Sequence, residues 1–406
     1  MANFTKIFAI RGVVQHYNWG GNSFIPNVLK QVNNEGKPFA EYWMGAHDNA
    51  PSALEQTGNE QRLNTIIAQH PEYLGEHARS QFGRLPYLLK ILDVKDMLSI
   101  QVHPSKAAAE LEFAEEEKKG IARNAANRNY KDDNHKPELM LALSEFYLLH
   151  GFRPAEQMKS ILNEVTELNF LTPVFGNENY RELYQLVMEM PQEEVNQRLQ
   201  PLLDRILPLY KSQQLSKSHP DFWAARAAVT YNEPGITDRG IFSIYLLNLL
   251  KVNKGEAVFQ DAGLPHAYLE GQNIEIMANS DNVLRGGLTN KHVDVAELMK
   301  HVKFEPTEPR ILLGNTGQVK EERVFKTPAR DFELSEIKLT AGQSVTLEVR
   351  SLDIFLILQG DITASSGEEM LERGEGQAFF ATAGTGLNLT ALSNAAIYRA
   401  TVPYAQ

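Results

Sequence analysis

The stretch Gly255-Glu-Ala-Val-Phe-Gln-Asp-Ala-Gly263 decides the fold, because a segment near the end of the chain echoes it. Gly374-Glu-Gly-Gln-Ala-Phe-Phe-Ala-Thr-Ala-Gly384 has the same glycine corner, short apolar run and second glycine, within a shift of one or two residues. Each copy lies between β-prone stretches. Short strands separated by glycine turns at this spacing are typical of antiparallel barrels and jelly rolls. The sequence therefore predicts two such β units.

The two copies differ in the residues directly after them. Leu264-Pro-His266 comes after the first, whereas Thr385-Gly-Leu387 comes after the second, and no histidine occurs after His301. Because imidazole is the commonest ligand for transition metals, an imidazole-based site is expected only in the first unit. The last unit is predicted to be free of metal.

Residues 154–228, which follow a strand-rich region over residues 1–153, have apolar residues at a different spacing. Leu183, Val187, Leu199 and Leu203 belong to apolar patterns at helical spacing, so residues 154–228 are predicted to be a helical insert. After about residue 236 strands return, and the only further helix is expected at 293–301. The predicted fold is mainly β with a helical insert: two antiparallel jelly-roll barrels plus an α-helical domain. The predicted domains are a discontinuous first β unit (1–153 and 229–320), the insert (154–228) and a C-terminal β unit (321–406).

Composition restricts the classes of partner. The chain has 406 residues, no cysteine and a formal net charge of −11. The acidic balance argues against binding to nucleic acid or to a membrane surface, and the lack of cysteine excludes disulfides and thiolate metal sites. No apolar run reaches membrane-spanning length, and the first ten residues lack the features of a signal peptide. We expect a cytoplasmic protein.

Two imidazoles, an amide and a carboxylate make up a candidate metal site. The run Leu98-Ser-Ile-Gln-Val102 reads as a strand, which would place Gln101 and His103 on the same face. Glu138 opens an apolar strand, and His266 comes after the first glycine segment. Two histidines and a carboxylate are a common ligand set for a divalent transition metal, and Gln101 could add a neutral oxygen. Each residue alone is more often structural than functional, so only the combination carries weight.

Several longer motifs occur together and in order. They are Tyr17-Asn-Trp-Gly-Gly21, Glu41-Tyr-Trp-Met-Gly-Ala-His47, Gln101-Val-His-Pro-Ser-Lys106, Asn134-His-Lys-Pro-Glu138, Pro265-His-Ala-Tyr268 and Ser280-Asp-Asn-Val-Leu-Arg-Gly-Gly-Leu-Thr-Asn-Lys291. By these motifs the chain resembles type I mannose-6-phosphate isomerases, zinc enzymes of the cupin superfamily, over essentially its whole length. Ser105, Gly286 and Asn290 depart from the residues usual in that family, and none of them is a ligand.

The resemblance implies that both jelly-roll barrels are of the cupin type and that the discontinuous unit is the catalytic one. It also implies one zinc ion per chain, held by Gln101, His103, Glu138 and His266. It implies interconversion of mannose 6-phosphate and fructose 6-phosphate, by proton transfer between C1 and C2 through an enediolate. Arg285 matches the arginine near the reacting carbons. Glu275 and Lys136 are candidates for the base, and a metal-bound hydroxide is a third. The substrate-binding candidates are Ser99, Lys106, Tyr268, Asp281, Lys291, Trp19 and Glu41.

Two other functions fit parts of the pattern. Two histidines and one carboxylate also serve ferrous iron in cupin oxygenases, although the extra Gln101 and the basic pocket argue against that class. A non-catalytic sugar-phosphate-binding protein would bind without turnover. In each case a small-molecule partner and a monomer are expected.

Overall fold

The computed structural model describes residues 5–55 and 61–404. Within these ranges the chain is mainly β-sheet, with helices concentrated in the middle. The strands are β1 (Ile7–Arg11), β2 (Val13–Gln15), β3 (Glu41–Gly45), β4 (Ala53–Leu54), β5 (Tyr87–Val94), β6 (Gln101–Val102), β7 (Glu138–Ala142), β8 (Phe146–Phe152), β9 (Leu247–Val252), β10 (Ala257–Gln260), β11 (His266–Ala278), β12 (Leu284–Arg285), β13 (Asn315–Thr316), β14 (Glu322–Phe325), β15 (Glu333–Leu339), β16 (Ser344–Val349), β17 (Asp353–Gln359), β18 (Ile362–Ser366), β19 (Glu369–Arg373), β20 (Ala378–Ala381), β21 (Thr385–Ala391) and β22 (Ala395–Thr401).

The helices of the described residues surround and connect these strands. They are α1 (Phe24–Val28), α2 (Leu63–Gln69), α3 (Gly75–Phe82), α4 (Lys106–Lys118), α5 (Ala155–Glu164), α6 (Thr172–Phe175), α7 (Tyr180–Glu189), α8 (Gln192–Lys211), α9 (Pro220–Tyr231), α10 (Gly240–Leu246) and α11 (Val295–His301), with short 3-10 turns at Pro71–Leu74 and Thr166–Leu171. No helix in the described part of the chain is long and apolar enough to cross a membrane.

The strands form three sheets. A ten-stranded sheet contains β10-β7-β11-β5-β3-β2, and its longest strand, β11, also pairs with β6 and β8. An eight-stranded sheet runs β13-β14-β15-β22-β17-β20-β1-β4, and a four-stranded sheet runs β16-β21-β18-β19. All the residue-by-residue pairings between named strands are antiparallel, as the glycine-turn pattern predicts.

The two glycine segments adopt the same local structure. Gly255 and Gly376 have φ of +86° and +81°, and each lies two residues before a four-residue strand. The closing glycines, Gly263 and Gly384, have φ of +78° and +80°. Only glycine adopts this backbone region without strain, which explains why both corners are glycine in each copy. In this alignment the second copy has the buried Leu387 where the first has His266.

Strand pairing and packing cross the predicted boundary at residue 320. The N-terminal strand β1 pairs with β20 of the C-terminal strands, Ile7 opposite Ala381. One hydrophobic cluster contains Ile91 and Ile274 together with Ile354 and other C-terminal residues. The two β units therefore share a core, and the predicted division into domains stays a prediction.

The helical insert has the pattern that the sequence predicts, with two differences. Leu183, Val187, Leu199 and Leu203 are all buried in one cluster. However, Gly240–Leu246 also forms a helix, in a region where the sequence predicts only strands. All seven residues of that helix are buried, so its sequence lacks the polar face that would reveal a helical period. The N-terminal part likewise contains α2 and α3, which the sequence pattern does not indicate.

The predicted strand over residues 98–102 is wrong for its first three residues. Only Gln101 and Val102 form a strand, whereas the N–H groups of Leu98 and Ile100 donate to the carbonyls of Tyr268 and Gly287. His103 lies just beyond the strand. Its position relative to Gln101 therefore depends on tertiary contacts rather than on strand alternation.

Candidate metal centre and cleft

His103, Glu138 and His266 converge in the interior of the ten-stranded sheet. The Nε2 atoms of His103 and His266 each lie 3.3 Å from an oxygen of Glu138, Oε1 and Oε2 respectively. The two rings are 5.1 Å apart between centroids. All three side chains are almost completely buried. One ligand atom from each lies within 4.8 Å of the others, so the three residues could hold one metal ion.

Strand register places Gln101 beside this cluster. In the antiparallel ladder Gln101 of β6 lies opposite both His266 of β11 and Arg285 of β12. Directly opposed residues of an antiparallel pair project to the same face. The amide, the imidazole and the guanidinium therefore point to one side of the sheet. This register, together with the convergence above, brings all four predicted ligands to one region.

The hydrogen bonds of the two imidazoles are those expected of metal-ligating histidines. His103 Nδ1 lies 2.8 Å from the carbonyl oxygen of Asn282, and His266 Nδ1 lies 2.9 Å from that of Leu264. A carbonyl only accepts, so each Nδ1 carries a proton, and in the neutral imidazole each Nε2 then has a lone pair that faces Glu138. His103 Nε2 is buried without a hydrogen bond. Ligand atoms about 2.1 Å from a tetrahedral ion lie roughly 3.4 Å from one another, close to the spacing seen here.

Burial and charge favour the metal-binding protonation states of His103 and Glu138. Burial lowers the pKa of His103 to about 4, despite the opposing effect of Glu138. Burial by itself raises the pKa of Glu138, but Lys136 and the imidazoles outweigh it and hold that pKa well below its usual range. Lys136 Nζ is 3.0 Å from Glu138 Oε1. Neutral imidazole and ionised carboxylate are the forms that bind divalent cations.

A network between two loops holds His103 in place. Asn282, whose carbonyl accepts from His103, is fully buried. Its Nδ2 donates to the carbonyls of Asp132 (2.7 Å) and Asn134 (2.9 Å), and its Oδ1 accepts from the N–H of Lys131 at 2.8 Å. The segment 280–282 is thereby joined to the segment 131–134. Partners of this kind orient the ligands of metal sites.

A polar cleft of about 710 Å³ lies over the cluster. Eight of the fourteen predicted site residues line it, and the other six do not. The lining residues are Trp19, Glu41, Ser99, Gln101, Lys136, Asp281, Arg285 and Lys291.

One end of the cleft is positively charged. Lys131, Arg285 and Lys291 all line it. Burial lowers the pKa of Lys291, and the nearby Arg285 and Lys131 charges lower it further. Burial alone lowers the pKa of Arg285. Within residues 5–55 and 61–404 no carboxylate forms an ion pair with these three cations. On a chain of net charge −11 this is a local site for an anion.

Lys90 is a functional candidate that the sequence analysis missed. It lies in the middle of β5, an eight-residue strand that is buried throughout. Its Nζ is 2.9 Å from Glu275 Oε2 and 3.4 Å from Glu41 Oε2. Burial alone would lower the pKa of Lys90, but the two carboxylates outweigh it and raise that pKa, while burial raises the pKa of Glu275. A lysine inside an otherwise apolar strand is the signal that could have identified it.

Two predicted residues, Lys106 and Tyr268, have surroundings that change their interpretation, whereas Asp281 lies in the cleft as predicted. Lys106 does not line the cleft, because it begins α4 on the far side of the metal-ligand segments, where its Nζ donates to the carbonyl of Asp133. Tyr268 is buried beneath the site, edge-on to Phe146, rather than lining the cleft. Asp281 does line it, and accepts from Asn49 at 2.7 Å.

The fold and the site define a class of protein: a β-sheet protein with a buried His–Glu–His cluster that could hold one metal ion, below a polar cleft with cations at one end. Residues 7–155 match the family model of the phosphomannose isomerase type I catalytic domain. Together with relatives that are more than 30% identical over nearly the whole chain, this match shows that the chain belongs to the mannose-6-phosphate isomerase family.

These relatives come from bacteria and from mammals. The mannose-6-phosphate isomerase of Escherichia coli (strain K12) is 37% identical over 376 residues, covering 91% of this chain and 93% of that protein. The Homo sapiens protein of the same name is 32% identical over 431 residues, covering 97% and 98%. A crystal structure of the Salmonella typhimurium isomerase bound to its substrate, fructose 6-phosphate, and zinc has a TM-score of 0.88 at 32% identity, covering 98% of this chain and 100% of that one.

Proposed function

We propose that this protein is a zinc-dependent aldose–ketose isomerase that interconverts mannose 6-phosphate and fructose 6-phosphate. The observation that carries the proposal is the convergence of His103, Glu138 and His266 beneath a cleft with unpaired cations at one end. The similarity to isomerases whose structures contain zinc and fructose 6-phosphate supports the choice of metal and substrate.

Gln101, His103, Glu138 and His266 are the proposed zinc ligands. Two imidazoles, an amide and one carboxylate leave the ion a net positive charge. Bound zinc supplies Lewis acidity toward the oxygens on the reacting carbons, where negative charge develops. The protein's own contribution is to hold the ligands in their tautomers through the Asn282 and Leu264 carbonyls.

The reaction moves a proton from C2 to C1 of the sugar through an enediolate. Lys136 lines the cleft, whereas Glu275 lies below it and is held by Lys90. We therefore assign proton transfer at the sugar to Lys136, and to Glu275 the role of positioning Lys90. Arg285 faces the same side of the sheet as Gln101 and is placed to stabilise negative charge on oxygen without changing its protonation state.

The positive end of the cleft is the proposed phosphate site. Lys291 and Ser99 are assigned to the phosphate, with Lys131 as a further cation near Lys291. Asp294, the carboxylate nearest to Lys291 in the sequence, does not pair with it but caps α11 and accepts from Asn129. Trp19 and Glu41 line the cleft and are assigned to contacts with the sugar.

The finer description of the fold belongs to the same proposal. We assign the ten-stranded sheet to a catalytic cupin unit that the helical insert interrupts, and the C-terminal strands to a metal-free cupin-like unit. The repeated glycine corners support this assignment. A cytoplasmic monomer is the assembly we expect, and sedimentation velocity of the purified protein tests the monomer.

A coupled assay tests the proposed function. Turnover of mannose 6-phosphate should be lost when a chelator removes the metal and should return when zinc is added. Activity that persists without metal would refute the zinc assignment. Oxygen consumption under the same conditions would favour the iron oxygenase, and binding of fructose 6-phosphate without turnover would favour the non-catalytic binding protein.

A further inference from the structure

A second cavity, of about 920 Å³, lies on the other side of the segments that carry the metal ligands. Helix α3 and the residues after it form one wall, and the loop 327–331 with residues 403–404 forms another. Its volume lies in the range of small-molecule sites. The cavity joins the catalytic strands to the C-terminal ones.

Two of the sequence motifs face both cavities. In Asn134-His-Lys-Pro-Glu138 the lysine lines the cleft, whereas Asn134, His135 and Pro137 line the second cavity. In the motif that contains the ligand His103, Lys106 lines the second cavity. His135 is fixed there by a hydrogen bond to the buried Asp331, Nε2 to Oδ2 at 2.9 Å. The proposed isomerase reaction leaves these residues without a role.

The walls of the second cavity carry two arginines without a side-chain partner among the described residues. Its two carboxylates already have partners, since Asp331 accepts a hydrogen bond from His135 and Asp261 pairs with Lys303. Arg84 and Arg330 are exposed on its walls, and no hydrogen bond or ion pair joins either guanidinium to another side chain within the described ranges. Guanidinium groups bind phosphate oxygens in bidentate fashion.

Aromatic rings line the same cavity. Phe82 and Phe259 are half-buried and pack against the hydrophobic core, and Tyr404 lies with its ring centroid 5.1 Å from that of His77. Flat apolar surfaces of this kind bind nucleobases by stacking. We propose that the cavity binds a nucleoside diphosphate, with the base against the aromatic side chains and the diphosphate at Arg84 and Arg330.

A ligand bound in this cavity would affect the geometry of the cleft through residues 134–138, which line both. A ligand that contacts His135 and Pro137 acts on the backbone on either side of Lys136, which holds Glu138 at 3.0 Å. The ligand is therefore an effector of the isomerase. This kinetic consequence rests on the proposed function, whereas binding itself does not.

The test uses the zinc-loaded full-length protein and ADP as the probe. Isothermal titration should show one ADP per chain, and binding should persist with fructose 6-phosphate at saturation. Arg84→Gln/Arg330→Gln should weaken ADP binding by about tenfold or more, the size expected for lost charge-assisted contacts. Arg310→Gln, at an exposed arginine outside both cavities, is the matched control and should bind ADP as the wild type does.

Other outcomes overturn the proposal. Absence of ADP binding, equal binding by the double variant, or displacement by fructose 6-phosphate would each do so. If pyrophosphate bound as tightly as ADP, the nucleobase would contribute nothing to the affinity, and the proposed stacking on the aromatic side chains would be refuted. In the isomerase assay ADP should change KM or kcat by about fivefold or more in the wild type only. An equal effect in the double variant would mean that ADP merely chelates the metal, and no effect would overturn the effector role.

Discussion

Lys90→Met should destabilise the protein strongly, because it leaves two buried carboxylates without their cation. Lys90, Glu41 and Glu275 are 5%, 7% and 3% exposed, so solvent screens their charges little. Lys90 Nζ lies 2.9 Å from Glu275 and 3.4 Å from Glu41. Removing one partner of such a buried pair typically costs about 3–5 kcal/mol. Methionine fills a similar volume, so most of this loss should be electrostatic.

The loss should depend on pH in a defined direction. Burial already raises the pKa of Glu275 above its ordinary value, against the opposing effect of Lys90. Without Lys90 that pKa rises further. A carboxyl whose pKa is higher in the folded than in the unfolded state favours folding below its unfolded pKa and loses that contribution as pH rises. The stability deficit of Lys90→Met should therefore be small near pH 4 and grow toward neutral pH.

Urea denaturation of the wild type and variants measures these effects. Lys90→Met/Glu275→Gln should regain much of the free energy of unfolding that Lys90→Met loses, since it removes one of the unpaired charges. The control is Lys251→Met, which breaks a 2.6 Å lysine–glutamate pair at the surface and should change stability little. The reasoning is refuted if Lys90→Met loses less than about 1 kcal/mol at neutral pH, the range of exposed pairs.

Three further substitutions test the site. His266→Ala should abolish zinc retention and isomerisation while the C-terminal strands stay folded; retention of one zinc per chain, measured by metal analysis, would contradict the ligand assignment. Arg285→Ala should lower kcat by about 10²–10³-fold with the zinc content unchanged, and wild-type turnover would exclude it from the mechanism. Asn282→Ala removes the side-chain bonds that fix the carbonyl accepting from His103, so zinc affinity should fall about 10–100-fold in chelator competition. Unchanged affinity would show that the loop holds its position without that amide.

The sequence by itself determined the parts of this protein that local chemistry specifies. Glycine corners at Gly255 and Gly376 are needed for positive φ, so the repeated β pattern is visible without a structure. The insert shows its helical period because its helices have one buried face. The motif resemblance led to the ligand set, of which His103, Glu138 and His266 converge in the structure. In each case the information lies in neighbouring residues.

Only the tertiary structure decided the features that depend on distant contacts. Helix α10 is buried on all sides, so its sequence has no amphipathic pattern. Lys106 comes shortly after a ligand in the chain, yet the fold turns it toward the second cavity. Lys90 acquires its significance from Glu275, which lies far away in sequence and directly across the ladder. Charge and hydrogen bonding act through space, and the pairing of strands determines which residues are close enough to interact.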